Sequence, residues 1–131
     1  MPRNLTPRPR RAPRRIEAPI QIAIVDYIRL VAPQLIVLHI PNEGMRSAWG
    51  HAHMVRMGLT PGAHDLLLLE EPGLAYLLEV KAPDEQLSMA QIEFHVECRA
   101  RKIPQAVVRS VNDARDALAR FGIRTREAAA A

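Results

Sequence analysis

Two apolar runs, 65–70 and 75–82, stand on either side of Glu71-Pro72-Gly73. Runs of that length around a turn signal predict a β-hairpin. Leu66 to Leu69 and Leu74 to Val80 are so apolar that both strands must be central in a sheet and covered on at least one face. The chain is thereby limited to a sheet with other elements packed against it, and the remaining segments supply them. From Pro19 the residues Ile20, Ala23, Ile24, Tyr27, Ile28 and Val31 recur at helical spacing, with Pro19 suited to a first turn and Pro33 ending the run. Leu35 to Ile40 reads as a short buried strand. Residues 41–63 form a long irregular connection with one short helix around Ser47 to Met57, and such connections are often functional. Ser88-Met89-Ala90-Gln91 matches a capping box, with Ile92, Val96 and Ala100 following at helical spacing. Gln105 to Arg109 predicts another strand, and Ser110-Val111-Asn112-Asp113 opens a last helix that Gly122 terminates.

The charges in the hairpin are the informative oddity. Glu79 and Lys81 are two apart, so they point to the same face of their strand. With a three-residue turn at 71–73, Asp65 falls opposite Glu79, their Cβ atoms roughly 4.5–5.5 Å apart. Two opposed carboxylates repel. A hard divalent cation, magnesium or manganese, resolves the conflict, and Lys81 beside it would hold a water or hydroxide, which outlines a site for metal-assisted hydrolysis. The plainer alternative is a surface ion pair of Glu79 with Lys81 at a sheet end, with Asp65 merely starting its strand.

At 131 residues, with 48% apolar and 24% charged positions, the chain suits one domain with one core. Neither an apolar run long enough to span a membrane nor a secretory signal is evident, so a cytoplasmic protein without membrane contact is expected. One cysteine, Cys98, excludes an internal disulfide and a multi-cysteine metal cage, and 4% aromatic content is too little for stacking platforms to dominate. Six of the 18 basic residues are arginines within residues 1–15, which hold no acid, leaving 12 basic residues against 14 acids in the remainder. With four prolines as well, residues 1–16 read as a disordered basic arm. Such an arm either tracks the phosphates of DNA or RNA or is a solvated tail.

Six blocks in order carry a family resemblance. They are Glu17-Ala18-Pro19-Ile20-Gln21, Pro41-Asn42-Glu43-Gly44, the run Gly58 to Asp65, Glu79-Val80-Lys81, Leu87 to Gln91, and Val108-Arg109-Ser110. Together they resemble the virus-type replication-repair nuclease (VRR-NUC) branch of the PD-(D/E)xK nuclease superfamily, over nearly the whole chain beyond the arm. The resemblance implies an α/β fold, a restriction-endonuclease-like mixed sheet of about four strands flanked by helices. It places the nuclease domain at 17–123 and a C-terminal tail at 124–131. It also implies a metal-dependent endonuclease that hydrolyses DNA, with branched or junction DNA in phage replication or DNA repair as the setting. By position, Asp65 and Glu79 would be ligands of Mg2+ or Mn2+, with the Val80 carbonyl a third. Lys81 would orient the attacking water, Glu17 would complete the acidic set, and Gln91 would face the site from the start of its helix. Single-domain chains of this type commonly form homodimers, because symmetric cutting needs two sites.

Two departures from the family pattern stand out. His64 replaces the usual proline before the aspartate, a change expected to leave the chemistry in place, and Glu43 replaces a frequent glycine, either as an extra acid near the metal or as a solvated loop residue. His51 and His53, with His39 or His64 nearby, could hold zinc, act as a general base or contact phosphate, or could be exposed polar residues of a loop helix. His95 and Cys98 read as packing or surface residues. Arg46, Arg56, Arg99, Arg101, Lys102 and Arg109 could line a DNA groove or be solvated charges singly. Functions of two other classes remain open: a non-catalytic nucleic-acid-binding module on the same fold, and a restriction-like partner in a larger complex. The presence of Asp65, Glu79 and Lys81 together favours the enzyme.

Overall fold

The computed structural model describes residues 14–41 and 48–129. In chain order the elements are α1 (Arg14–Val31), β1 (Ile36–His39), α2 (Ala48–Arg56), β2 (Leu66–Glu70), β3 (Leu74–Val80), α3 (Met89–Ala100), β4 (Gln105–Val108), α4 (Val111–Arg120) and a short α5 (Arg126–Ala129). The four strands form one mixed sheet in the order β1-β2-β3-β4. β1, β2 and β3 run antiparallel, and β4 returns parallel to β3 after the crossover through α3. The fold is thus the α/β mixed sheet expected, with helices on both faces.

The hairpin has the anticipated register. Glu70 pairs with Leu74 across residues 71–73 and Leu66 with Leu78, so the next position beyond the ladder sets Asp65 opposite Glu79. One face of the sheet carries the apolar core. Leu66, Leu68, Tyr76, Leu78, Val80, Ala106 and Val108 meet Ile24, Ile28 and Val31 of α1 and Ala114, Ala117 and Leu118 of α4. Burying each of the large aliphatic side chains contributes about 1.5–3 kcal/mol, so this layer is the main source of stability. The helix starts and stops follow local chemistry. The Ser110 hydroxyl accepts from the Asp113 amide at 3.0 Å, and Gly122 stops α4 with φ +75°.

Three details depart from the sequence reading. β1 is an edge strand rather than a buried one: Ile36 is 58% and Leu38 42% exposed, because it pairs with β2 alone. α1 begins at Arg14, inside the segment read as an arm, so Pro19 sits within the helix and leaves the Arg15 carbonyl without its usual donor. Residues 124–127 are tied down, with the Arg124 carbonyl accepting from Gln34 at 2.7 Å and Glu127 accepting from the Tyr27 hydroxyl at 2.8 Å and Arg115 Nε at 3.0 Å. Residues 1–13 of the arm, Asn42-Glu43-Gly44 and Arg46 lie outside the described residues. Among the described residues no helix is long and apolar enough to cross a membrane.

Candidate active site at the end of the central hairpin

The second face of β3 carries Leu77, Glu79 and, one residue past the strand, Lys81. Glu79 is 2% and Lys81 5% exposed, which rules out a surface ion pair between them. Each has other partners. Lys81 Nζ lies 3.7 Å from Glu17 Oε1 and 3.7 Å from Glu85 Oε1. Its own amide still donates to the Val108 carbonyl at 3.0 Å, so β4 holds the backbone in place beyond the hairpin ladder. Asp65 closes the other side. Its Oδ2 accepts from the Val80 amide at 2.8 Å, and its carbonyl accepts from the Ile40 amide at 2.7 Å, which fixes the carboxylate where three strands end together.

Gln91 reaches Glu79 from α3. At the third position of the helix its Oε1 accepts from the Ser88 amide at 2.8 Å, while the Ser88 hydroxyl accepts from the Gln91 amide at 3.2 Å. The same side chain turns its Nε2 to Glu79 Oε1 at 2.8 Å. One residue therefore completes the capping box and orients a carboxylate of the site. The 58–64 loop sets the helix at this depth. Gly62 has φ +79°, and a Cβ there would fall 2.1 Å from the Ala90 carbonyl oxygen, so only glycine allows the approach.

Glu17, from the first turn of α1, arrives beside Lys81 although 48 residues separate it from Asp65. Burial pushes its carboxyl up to about 8, helped by a hydrogen bond and charge from Glu85 and by the charge of Asp65, with Lys81 opposing. Glu85, bonded to that carboxyl and near the Lys81 charge, is held below the usual range. Of the two acids beside the lysine, Glu17 is thus the one whose carboxyl is pushed toward the protonated form.

No family model matches the chain, and no curated protein matches it. A solved structure described as a VRR_NUC domain is similar at 25% identity, with a TM-score of 0.52, over 79% of this chain and 94% of that one. The fold is that of a VRR-NUC domain. The six sequence blocks resemble the same family, and the likeness suggests a nuclease-family domain.

In the VRR-NUC frame the residues named from sequence gather at one sheet end, but into two groups. Glu17 lies with Lys81, and Glu79 lies with Gln91. Among the described residues no three side chains of His, Cys, Asp or Glu converge as a ready-made metal cage. The donor set still fits a hard divalent cation in kind. Such ions are commonly held by one or two carboxylates with waters completing the shell. The crowding of Glu17, Glu85 and Asp65, which raises the Glu17 carboxyl, is a conflict that a bound cation relieves.

Glu85 was missed from sequence, and the contacts of Arg109 and His64 at the site were not anticipated. Glu85 is delivered by the turn after β3, where Arg109 Nη1 donates to the carbonyls of Ala82 and Glu85, both at 2.6 Å. Arg109 is therefore a clamp on that turn. The only sequence signal was the four-residue spacing of Lys81 and Glu85. His64 is 1% exposed, with Nδ1 3.3 Å from Glu79 Oε2, so replacing the family's proline adds a contact to the site. His51 and His53 are exposed on α2, with His53 stacked on Trp49 at 5.5 Å. Arg56, Arg99, Arg101 and Lys102 are exposed, and Arg101 pairs with Glu97. Cys98 is buried, which pushes its thiol up, as a packing residue.

Proposed function

We propose that this VRR-NUC domain is a divalent-metal-dependent endonuclease that hydrolyses DNA phosphodiester bonds, with branched or junction DNA in phage replication or repair as its setting. The observation that carries the reading is a buried glutamate and a buried lysine side by side at the open end of the hairpin, each already oriented by partners from other segments. Burying such groups costs free energy unless they are paired, and buried, paired ionisable groups cluster at functional sites.

In this reading Asp65, Glu79 and the Val80 carbonyl hold Mg2+ or Mn2+, and Glu17 completes the acidic set. The bound ion supplies Lewis-acid stabilisation of charge on the scissile phosphate. Lys81 donates to the attacking water and sets its direction, and its charge offsets that gathering on the phosphate oxygens as the water–phosphorus bond forms and one P–O ester bond breaks. Gln91 keeps Glu79 Oε1 engaged, so the other oxygen is presented in a fixed direction. The arginines of residues 1–13 contact DNA phosphates, and a homodimer places one site on each strand.

The test is a panel of labelled duplex, flap and junction DNAs with Mg2+ or Mn2+. Wild type is expected to cut at least one of them, and Lys81→Ala and Glu79→Ala each to lose about a hundredfold or more of the rate with unchanged circular dichroism. Wild-type protein that binds DNA but cuts nothing in either metal would make the domain a non-catalytic binding module.

A further inference from the structure

None of the residues of α2 is buried, whereas α1, α3 and α4 each bury at least one side chain. A helix this short gains little stability by itself, and packing normally supplies the rest. It carries the chain's single tryptophan, Trp49, which is 77% exposed. One face of the indole is stacked on the His53 ring, the centroids 5.5 Å apart and the planes 3° from parallel, which leaves the opposite face toward solvent. Trp49, His53 and Arg56 stand at i, i+4 and i+7, so they form one stripe along the helix. Residues 48–64 include no Asp or Glu, so nothing acidic on this segment opposes an anion beside the stripe. The same segment runs directly into the site: Gly62 packs on the backbone of Ala90 and Gln91, and His64 and Asp65 follow.

An open aromatic face, backed by a second ring and followed by a guanidinium, matches one occupant: a nucleobase whose own face is uncovered, with a neighbouring phosphate on Arg56. We propose that Trp49 is a base-stacking residue for DNA held at this site. The proposal rests on the DNA-cleaving reading above, and it goes beyond that reading by naming a residue that recognises the branch. Base faces within a continuous duplex are covered by their neighbours, and they are uncovered in single strands, in flaps and where strands part. Stacking is indifferent to base identity, because every base has a π-face. Trp49 therefore selects unpaired structure rather than sequence. A lone apolar side chain on a surface is commonplace. Trp49 is set apart by the parallel ring behind it and by the acid-free segment around it. The low aromatic content agrees, since one ring holds one base at a branch whereas a long single strand needs a row of them.

With one tryptophan in the chain, intrinsic fluorescence reads this position alone. The full chain is titrated at fixed salt, with a chelator to prevent cleavage, against oligothymidylate, an abasic strand of equal length and relaxed closed-circular duplex. Oligothymidylate is expected to quench the emission, and the abasic strand and the circle to leave it nearly unchanged. Anisotropy of the labelled strands is expected to show Trp49→Ala binding oligothymidylate about tenfold more weakly than wild type, Trp49→Phe falling between them, and all three proteins binding the abasic strand alike. Equal quenching by all three probes would make the contact one of phosphates alone and overturn the stacking. Emission that shifts with protein concentration and is unmoved by oligothymidylate would make α2 an interface between copies of the chain, which also overturns it. Unmoved emission in protein that cuts the labelled DNA panel overturns the role of Trp49 and leaves the nuclease reading standing. Protein that neither binds nor cuts any DNA overturns both. The wild-type titration decides the assignment even if a Trp49 variant does not fold.

Discussion

The two faces of β3 bury their side chains almost equally and bury opposite chemistry. On one face Tyr76, Leu78 and Val80 lie within the apolar layer under α1 and α4. On the other, Glu79 and Lys81 are as deeply covered, with partners from α1, α3, the loop before β2 and the turn after β3. The apolar face gains from each atom it hides. The polar face recovers, through hydrogen bonds and ion pairs, what it loses by dehydration. Depth of burial therefore does not distinguish core from site, whereas the number of separate segments needed to satisfy a buried group does.

Adjacent substitutions break this comparison most sharply. Leu78→Ala is expected to destabilise by about 2–5 kcal/mol, since it opens a cavity in a layer with no means of collapse. Glu79→Gln, one residue along, is expected to change stability little in metal-free protein, or to raise it by about 1 kcal/mol. Its amide oxygen can still accept from Gln91, and its new N–H₂ takes the place of the oxygen 3.3 Å from His64 Nδ1. Urea unfolding with a chelator measures both. A Glu79→Gln loss as large as that of Leu78→Ala would place Glu79 in the core rather than in a site.

Glycines at the two ends of the hairpin region provide a second contrast. Gly62 and Gly73 have nearly the same φ, +79° and +77°, but a Cβ at Gly73 meets nothing within 4 Å whereas one at Gly62 meets the backbone of Ala90 and Gln91. Gly73→Ala should show the left-handed penalty alone, about 1–2 kcal/mol. Gly62→Ala adds overpacking of about 1–3 kcal/mol and displaces Gln91 from Glu79. Thermal melts of the two variants, with equal losses, would show that the loop gives way and does not set the depth of α3.

What was legible in the sequence follows the range of the interaction that determines it. The register of Asp65 and Glu79 follows from a three-residue turn, and the Ser88–Gln91 box lies within one helical turn, so both were readable. Glu17 was placed only through resemblance, because nothing local ties the first turn of α1 to a hairpin 48 residues on. The exposure of β1 was missed because a short run of β-branched and apolar residues looks alike whether a sheet continues beyond it or stops. Glu85, and the contacts made by Arg109 and His64, were missed for a related reason. Their roles depend on which carbonyls and carboxylates the fold brings near, and residue type alone carries no trace of that.

The smallest expected effect bears on Glu17, which periodicity alone would make a helix-dipole acid. An ionised first-turn acid contributes about 0.3–1 kcal/mol, and only while charged. Here the carboxyl is raised to about 8 by burial and by Glu85, so at neutral pH it is mostly protonated and gives the dipole little. A carboxyl raised in the folded state from 4.5 stabilises fully below pH 4.5, and that contribution is lost as pH climbs to about 8. Metal-free wild type should therefore fall in melting temperature relative to Glu17→Gln between those limits, and the difference should level off above them. A glutamine reproduces the protonated acid, so the two proteins should be nearly equal near pH 4.5. A helix-dipole role gives the opposite slope, with wild type gaining on the variant as the carboxylate ionises near pH 4.5. The sign of the melting-temperature difference between pH 4.5 and pH 8 thus separates an acid drawn into the Lys81 cluster from one that merely opens a helix.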